Sequence, residues 1–295
     1  MAHSFAHVAA SLARDLDEAG IAYVFSDSTA LALHGVSVTP DAIEVRVQWD
    51  RFDAARELLD AAPAARTASS ATSRAERSGV GILLSCRYNT VVAADPERVP
   101  VPVQGTMVWA ESVTAYRRAT TPDDPLLPAI ERYLTEQQRE HSHTNEVAWN
   151  QSTYDAWVQR YGAPAEAAAR IVRDPAGRLA PLNAYLGDVA GKRVINLLGS
   201  HGSKAVALAL LGADAAVVDI SPGNAVYARE LAAAAGVSLR YVVSDVLALP
   251  DAELTGDYDI VLLELGILHY FVDLRPLARV VRQLLRPGGR LILQD

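Results

Sequence analysis

In the second half of the chain, short apolar runs alternate with segments of helical periodicity. Runs rich in Val, Ile and Leu predict strands at residues 193–198, 215–219, 239–243, 259–263 and 290–294. Between them, apolar positions at helical spacing predict helices at residues 204–211, 224–235 and 274–285. The runs contain few polar positions, which is typical of strands buried on both faces. The pattern therefore predicts an α/β fold, a Rossmann-like, doubly wound parallel sheet covered by helices.

The first half predicts a smaller α+β domain. Helices are predicted at residues 5–20, 29–33, 51–61, 112–118 and 126–140, and strands at residues 21–25, 43–47 and 81–86. Residues 63–79 are rich in Ala, Ser, Thr and Arg without a periodic apolar face, so we predict a mobile loop there. The predicted organisation is an α+β domain at residues 1–140, a helical linker or lid at 141–190, and the Rossmann-like domain at 191–295.

Glycines and acids follow the ends of the predicted strands. The carboxyl ends of parallel strands meet at one edge of a sheet, where open α/β sheets bind ligands. A carboxylate at Asp219 is placed there to accept both hydroxyl protons of a ribose, and one at Asp245 to accept a hydrogen bond from an adenine amine. Helix capping, turn geometry and ordinary turn residues are the alternative explanations. The candidate cofactor-binding residues after the first three strands are Gly199, Ser200, His201, Gly202, Asp219, Ile220, Ser221, Ser244, Asp245 and Val246.

The fourth predicted strand ends in Glu264 and Leu265, and His269 and Tyr270 follow a few residues later. An imidazole can remove a proton from an oxygen or nitrogen nucleophile near neutral pH, and an aromatic ring can hold a cationic sulfonium. We therefore take His269 and Tyr270 as candidate catalytic residues, and Glu264 and Leu265 as further cofactor-binding candidates. The alternative is a loop that packs its aromatic residues on the neighbouring helix.

Taken together, residues 192–295 resemble the class I S-adenosylmethionine-dependent methyltransferases. Residues 194–202 are similar to the first motif of that family, 218–221 to its ribose-binding acid and 244–246 to its adenine-binding acid. Residues 257–261 resemble its fourth strand, and Pro287-Gly288-Gly289 its turn into strand five. The resemblance implies S-adenosylmethionine as the cofactor, with residues 199–202 at its amino-acid portion. Trp149 and Tyr154 lie in a segment similar to the helix that often covers the cofactor, although such aromatic residues are also common in ordinary cores.

Three features depart from the family pattern. Asn196 replaces the opening acid, and Ser200-His201 interrupts the usual three-glycine loop. The sequence reaches Asp295 directly after strand five, without the antiparallel hairpin that normally completes the sheet. We therefore expect either a truncated sequence, or a further segment or a second subunit in a homo-oligomer that covers the strand-five edge.

Residues 21–35 and 41–45 resemble the core of a nucleotidyltransferase-like domain. That family seats a phosphate on a small-residue turn and holds magnesium with paired carboxylates. Here Asp27-Ser28 stands at the turn, and Glu44 has Ala42 where its partner acid belongs. We therefore expect a degenerate domain without a metal site, or another α+β module with a coincident pattern.

Composition narrows the choice of partner. The formal net charge is −8, which repels a phosphate backbone, so we expect a small-molecule substrate and no nucleic acid. Cys86 is the single cysteine, which excludes an intrachain disulfide. No uncharged apolar stretch is long enough to cross a bilayer, so we expect no membrane insertion and a cytoplasmic location.

The sequence therefore predicts an S-adenosylmethionine-dependent methyltransferase that acts on an oxygen or nitrogen of a small molecule. An NAD(P)-dependent oxidoreductase is one alternative, because the first turn and Asp219 also suit a dinucleotide, although the third glycine of that fingerprint is missing. The other alternative is a non-catalytic cofactor-binding or scaffolding module.

Overall fold

The computed structural model describes residues 2–294, with side chains from Phe5 onward. The chain forms two compact units, Met1–Glu136 and Gln137–Asp295. The division proposed from the sequence, into an α+β domain, a helical linker or lid and a Rossmann-like domain, stays a prediction. No helix within residues 2–294 combines the length and the apolar character needed to cross a bilayer.

The N-terminal unit is built on a seven-stranded mixed sheet with the strand order β3-β4-β5-β2-β1-β7-β6. Its strands are β1 (Tyr23–Phe25), β2 (Ile43–Val47), β3 (Ala65–Arg66), β4 (Ser70–Arg77), β5 (Val80–Arg87), β6 (Arg98–Val103) and β7 (Thr106–Glu111). The helices are α1 (Ala2–Glu18), α2 (Asp27–Leu33), α3 (Phe52–Leu58) and α4 (Val113–Ala119), and α5 (Leu127–Trp149) begins in this unit. Leu12 and Leu16 of α1 are buried in the same core as Tyr23 and Phe25, which explains the apolar periodicity of that helix.

The loop predicted at residues 63–79 is wrong, because β3 and β4 form there. Strand β4 pairs antiparallel with β5 along its whole length. Its buried positions are occupied by Ala71 and Ser73, and the hydroxyl of Ser73 donates to the carbonyl of Ala62. Small inward-facing residues give little apolar periodicity, so the alternation of this strand is invisible in a hydrophobicity pattern.

Strand β6 was not predicted from the sequence, and helix α5 is longer than predicted. Strand β6, which contains Pro100 and Pro102, lies at the edge of the sheet. Proline lacks a backbone N–H, and an edge strand tolerates this because one of its sides has no neighbouring strand to pair with. Residues 141–145, expected to begin a linker, continue α5 to Trp149. They contain no glycine or proline that ends a helix.

The C-terminal unit contains a five-stranded sheet with the order β10-β9-β8-β11-β12, in which every pairing is parallel. These strands are β8 (Arg193–Leu197), β9 (Asp214–Asp219), β10 (Arg240–Val243), β11 (Tyr258–Glu264) and β12 (Leu285–Gln294). The helices after α5 are α6 (Thr153–Tyr161), α7 (Pro164–Arg173), α8 (Pro175–Arg178), α9 (Asn183–Leu186), α10 (Ser203–Leu210), α11 (Pro222–Ala235) and α12 (Leu274–Leu284). The predicted Rossmann-like doubly wound sheet is confirmed.

Helices cover both faces of this parallel sheet. Val194 of β8 faces a core shared with α7, α10 and α11, whereas Ile195 and Leu197 face the core that contains α12. The chain leaves β8 in one direction to β9 and returns on its other side as β11, which makes this point a topological switch. Such switch points are where open α/β sheets bind ligands, at the carboxyl ends of the strands.

Candidate active site

A cavity of about 750 Å³ lies at the carboxyl ends of four neighbouring strands in the C-terminal unit. One residue from the end of each strand reaches it: Asp245 after β10, Asp219 at the end of β9, Gly199 after β8 and Glu264 at the end of β11. The size is within the usual range of small-molecule sites. Asp219 and Asp245 therefore face a common cavity, as the sequence predicts.

Most residues predicted from the sequence line this cavity. The lining residues among them are Trp149, Gly199, Ser200, His201, Asp219, Ile220, Ser244, Asp245, Val246, Glu264, Leu265 and Tyr270. Gly202, Ser221, Tyr154 and His269 do not belong to the lining. The contacts of these four residues explain why.

Three of the four are part of the frame around the cavity, and the fourth is a surface residue. Gly202 precedes α10 with φ +71°, and a Cβ added there lies 2.8 Å from the Cβ of Ala228. The Ser221 hydroxyl caps α11 and donates to the carbonyl of Trp149 at 3.0 Å, and the hydroxyl of Tyr154 donates to Glu230 at 2.6 Å. His269 is exposed beside Tyr270. His269 thus lies outside the cavity lining, and its assignment as a base stays a prediction.

The Asp219 carboxylate is buried and already accepts three hydrogen bonds from the protein. Its Oδ2 accepts the backbone N–H of Ser200, and its Oδ1 accepts the backbone N–H of Ser221 and the side-chain amide of Asn224, each at 2.9 Å. Burial raises the pKa of this carboxyl, and the hydrogen bonds oppose that rise. The backbone of Ile220 is a further hydrogen-bond donor to this carboxyl. Asp219 is therefore tied to the turn after β8 and to the start of α11 while it lines the cavity, and its role toward a ribose stays a prediction.

Asp245 offers a freer carboxylate. Its Oδ1 caps the short helical turn after β10 by accepting the backbone N–H of Leu247 at 2.9 Å. Within the part of the chain that the structure describes, no donor is bonded to Oδ2. Since Asp245 lines the cavity, this oxygen is available to a ligand.

The turn after β8 holds two non-glycine residues in the left-handed region. Leu198 has φ +50° and Ser200 has φ +49°, a conformation that costs an L-residue roughly 1–2 kcal/mol. Gly199 lies between them, and a Cβ added there lies 2.8 Å from Val217 and 2.9 Å from Asn196. Strained backbone that persists at a cavity is typical of ligand sites. Ser200 and His201, which interrupt the three-glycine loop of the family pattern, therefore do not prevent a tight turn.

His201 is enclosed by aromatic rings on one side of the cavity. Its ring centroid lies 4.4 Å from that of Trp157 and 4.9 Å from that of Tyr161. Burial, followed by the positive charges of Arg178, Arg160 and Lys204, lowers the pKa of His201 to about 3. The imidazole is therefore neutral near pH 7.

Sequence reasoning missed the cationic side chains of the site. Lys204, in the first turn of α10, forms an ion pair with Glu264, and both side chains are less than 10% exposed. Arg178 donates from Nε to the hydroxyl of Ser203 at 3.0 Å, and with Arg160 it lines the cavity. Arg178 carries no motif that could have marked it. Lys204 had one signal, because only two of the 27 basic residues are lysines.

The N-terminal unit has a weaker candidate site. Glu44 accepts a hydrogen bond from the hydroxyl of Ser28 at 3.0 Å, and burial is the main cause that raises its pKa. Across residues 2–294, no group of three or more His, Cys, Asp or Glu side chains is arranged to hold a metal ion. The degenerate nucleotidyltransferase-like assignment of this unit stays a prediction.

The C-terminal part of the chain is similar to known methyltransferases. A ubiquinone biosynthesis O-methyltransferase of Xanthomonas oryzae pv. oryzae is 33% identical over 106 residues, which cover 36% of this chain and 44% of that protein. A demethylmenaquinone methyltransferase of Thermus thermophilus is 32% identical over 108 residues, covering 36% of this chain and 48% of that protein. The matched part thus spans less than half the length of either curated relative.

A magnesium protoporphyrin IX methyltransferase of Synechocystis PCC 6803, solved with bound SAH, is 22% identical, with a TM-score of 0.40 over 52% of this chain and 71% of that one. The family described as "Methyltransferase domain" matches residues 198–293, which include the turn after β8, Asp219, Asp245 and Glu264. Residues 198–293 of this chain thus match the model of a methyltransferase domain.

Proposed function

We propose that the C-terminal unit binds S-adenosylmethionine and transfers its methyl group to an oxygen or nitrogen of a small molecule. One observation carries the proposal: Asp219 and Asp245, at the ends of neighbouring strands, line the same cavity as the strained turn at Gly199. The spacing of these groups across the strands suits the sugar, the base and the amino-acid tail of one adenosyl ligand.

The residues present fit that ligand group by group. Among the described residues no donor is bonded to Oδ2 of Asp245, which suits the adenine amine, and the Asp219 carboxylate suits a ribose hydroxyl. Arg178 and Arg160 line the cavity, and neither is paired with a carboxylate within residues 2–294. A guanidinium in that situation is suited to a ligand carboxylate, such as the one in the amino-acid tail.

The bound cofactor supplies a methyl group that is already activated on a positively charged sulfur. The protein's contribution is to hold the two partners in line and to exclude water from their contact. Trp149, Tyr270 and Phe271 form aromatic parts of the cavity wall, and such rings attract a sulfonium. We retain Tyr270 as a contact for the acceptor, and we do not assign a catalytic role to His269.

The nature of the acceptor is also a proposal. The cavity suits a small organic molecule, and the two curated relatives are named as methyltransferases of ubiquinone biosynthesis and of demethylmenaquinone. We further propose a reducing, cytoplasmic setting, because Cys86 is buried and unpaired.

A transfer assay tests the proposed function. The full chain is incubated with S-adenosylmethionine that carries a tritium-labelled methyl group and with the small-molecule fraction of a bacterial extract. We expect label in organic-extractable products, and at least tenfold less label with the variant Asp219→Ala. Labelled product from Asp219→Ala at the wild-type rate would contradict the assignment of the site.

A further inference from the structure

The side chain of Asn224 joins two walls of the cavity in the C-terminal unit. Its Oδ1 accepts the indole N–H of Trp157 in α6 at 2.6 Å, and its Nδ2 donates to Oδ1 of Asp219 at 2.9 Å. Asn224 lies in the first turn of α11 and is buried, and all three residues line the cavity. The amide therefore bridges the acid at the end of β9 and the aromatic wall formed by α6.

The chemistry of the two partners fixes the orientation of this amide. An indole N–H can only donate a hydrogen bond, and an ionised carboxylate can only accept one. A flipped amide would therefore lose both hydrogen bonds and set like groups against each other. The start of α11 does not need this side chain as a cap, because the hydroxyl of Ser221 already accepts the backbone N–H of Asn224 at 3.3 Å. The polar groups of Asn224 thus serve the cavity wall rather than the helix.

Together with the turn after β8, these residues form a closed ring of contacts beside the cavity. Asp219 accepts the backbone N–H of Ser200 in that turn, and the ring of the next residue, His201, lies 4.4 Å from that of Trp157. Trp157 donates to Asn224, and Asn224 donates back to Asp219. We call these five residues the contact ring. Because it joins β9, the turn after β8, α6 and α11, a change at Asn224 affects the acid and the turn together.

We propose that Asn224 is a positioning residue for the cofactor, which orients the Asp219 carboxylate toward the ribose and holds Trp157 against the turn that takes the amino-acid tail. The inference rests on the proposed function. Asn224 acts through its neighbours and not on the reacting atoms, so its loss should weaken cofactor binding and leave the chemical step of a saturated enzyme largely unchanged. In steady-state terms, KM for S-adenosylmethionine should rise while kcat stays within a few-fold of wild type.

The charge of Asp219 supports this role. Burial raises the pKa of its carboxyl, and the hydrogen bond from Asn224 is the first of the causes that oppose the rise. Without that bond the carboxyl should take up a proton at a higher pH, where it becomes a weaker acceptor for a ribose hydroxyl. The titratable groups around it stay neutral near pH 7, since burial and Asp219 raise the pKa of Tyr241 in β10, and burial lowers the pKa of His201.

Nuclear magnetic resonance tests the bridge without any ligand. The full chain is produced with tryptophan labelled with nitrogen-15, which gives four indole N–H signals, and Trp157→Phe identifies the one from Trp157. We expect this N–H to exchange with solvent about tenfold faster in Asn224→Leu, because its acceptor is removed. The matched control is Asn183→Leu, since the amide of Asn183 donates to the carbonyl of Ala176 at an exposed position. Equal exchange in wild type and Asn224→Leu would overturn the proposal.

Calorimetry with S-adenosylhomocysteine between pH 5 and pH 8 tests the effect on the cofactor site. At pH 7 we expect Asn224→Leu to bind about tenfold more weakly than wild type. As the pH is lowered, its affinity should begin to fall about one pH unit earlier than that of wild type, because Asp219 is protonated more easily. Asn183→Leu should match wild type at every pH. Weaker binding with the pH dependence of wild type would indicate a merely structural role for Asn224 and would overturn the proposal.

Trp157→Phe tests the other side of the bridge and replaces Asn224→Leu if that variant does not fold. It keeps an aromatic ring beside His201 but removes the N–H that fixes the orientation of the Asn224 amide. We expect its affinity for S-adenosylhomocysteine to fall about three- to tenfold, with the pH dependence displaced in the same direction as in Asn224→Leu. Affinity and pH dependence equal to those of wild type would overturn the proposal.

The same titrations separate the two failures. If wild type binds S-adenosylhomocysteine and the variants bind it equally well at every pH, the positioning role of Asn224 is wrong and cofactor binding stands. If wild type does not bind this ligand, the proposed function itself fails, and the inference fails with it.

Discussion

The carboxylate of Asp219 accepts the backbone N–H of Ser200 at 2.9 Å, which bonds the end of β9 to the turn after β8. The same side chain lines the cavity. One acid therefore both fixes the shape of the site and offers an acceptor to a ligand. Changes at this position should affect stability and binding together, whereas changes at Asp245 should separate them.

The variant Asp219→Ala should be destabilised and should bind S-adenosylhomocysteine poorly. Loss of the carboxylate leaves the donors of Ser200, Ser221 and Asn224 without their acceptor. We expect this to lower the free energy of unfolding by about 2–4 kcal/mol. Denaturant unfolding and calorimetry measure the two effects. Asp214→Asn, at the exposed start of the same strand, is the control and should change stability by less than about 1 kcal/mol. Equal effects of the two variants would contradict the role of Asp219.

The variant Asp245→Asn should fold normally and should no longer distinguish adenine from hypoxanthine in the bound ligand. Its Oδ1 can still cap the turn at Leu247, but Oδ2 becomes a donor. Wild type should bind S-adenosylhomocysteine at least tenfold more tightly than S-inosylhomocysteine, which lacks the adenine amine. In Asp245→Asn this preference should fall to within a few-fold. An unchanged preference would place the adenine elsewhere.

Two substitutions in the turn before α10 should act in opposite directions. Gly202→Ala places a Cβ 2.8 Å from Ala228 at φ +71°, which we expect to destabilise the fold by about 2–4 kcal/mol. Ser200→Gly relieves a left-handed residue at φ +49° and should stabilise by about 0.5–1 kcal/mol. Thermal unfolding measures both. Stabilisation by Gly202→Ala would show that the turn is not as tight as described.

Stability should fall in mild acid because of His201. Its pKa in the folded protein is lowered to about 3, so between this value and the unfolded value near 6.5 only the unfolded chain takes up the proton. Lowering the pH from 7.5 to 5.5 should therefore cost wild type about 1.4 kcal/mol more than His201→Phe, which keeps a ring between Trp157 and Tyr161. Urea titrations at the two pH values measure the difference. An equal loss in both proteins would mean that His201 is protonated in the fold.

How far the sequence predicts this protein depends on where the apolar signal is strong. The buried strands of the C-terminal sheet carry unbroken Val, Ile and Leu, and their ends place Asp219 and Asp245 correctly at one cavity. Strand β4 was missed because its inward positions are Ala71 and Ser73, which resemble a polar loop in a hydrophobicity pattern.

The chemistry of the cavity was less predictable than its frame. His269 follows the strand closely in sequence, yet a short helical turn leaves it exposed outside the lining. Arg178 comes from α8, 25 residues before its partner Ser203, and only tertiary packing brings the two together. Local spacing could not reveal such contacts, whereas it could reveal residues at strand ends.

Isothermal titration calorimetry of the full chain with S-adenosylhomocysteine, and separately with NAD, is the sharpest test of the adenosyl site at Asp219 and Asp245. We expect one S-adenosylhomocysteine site per chain, lost in Asp219→Ala, and no measurable heat with NAD. Binding of NAD in preference to S-adenosylhomocysteine, or no binding of S-adenosylhomocysteine at all, would contradict it.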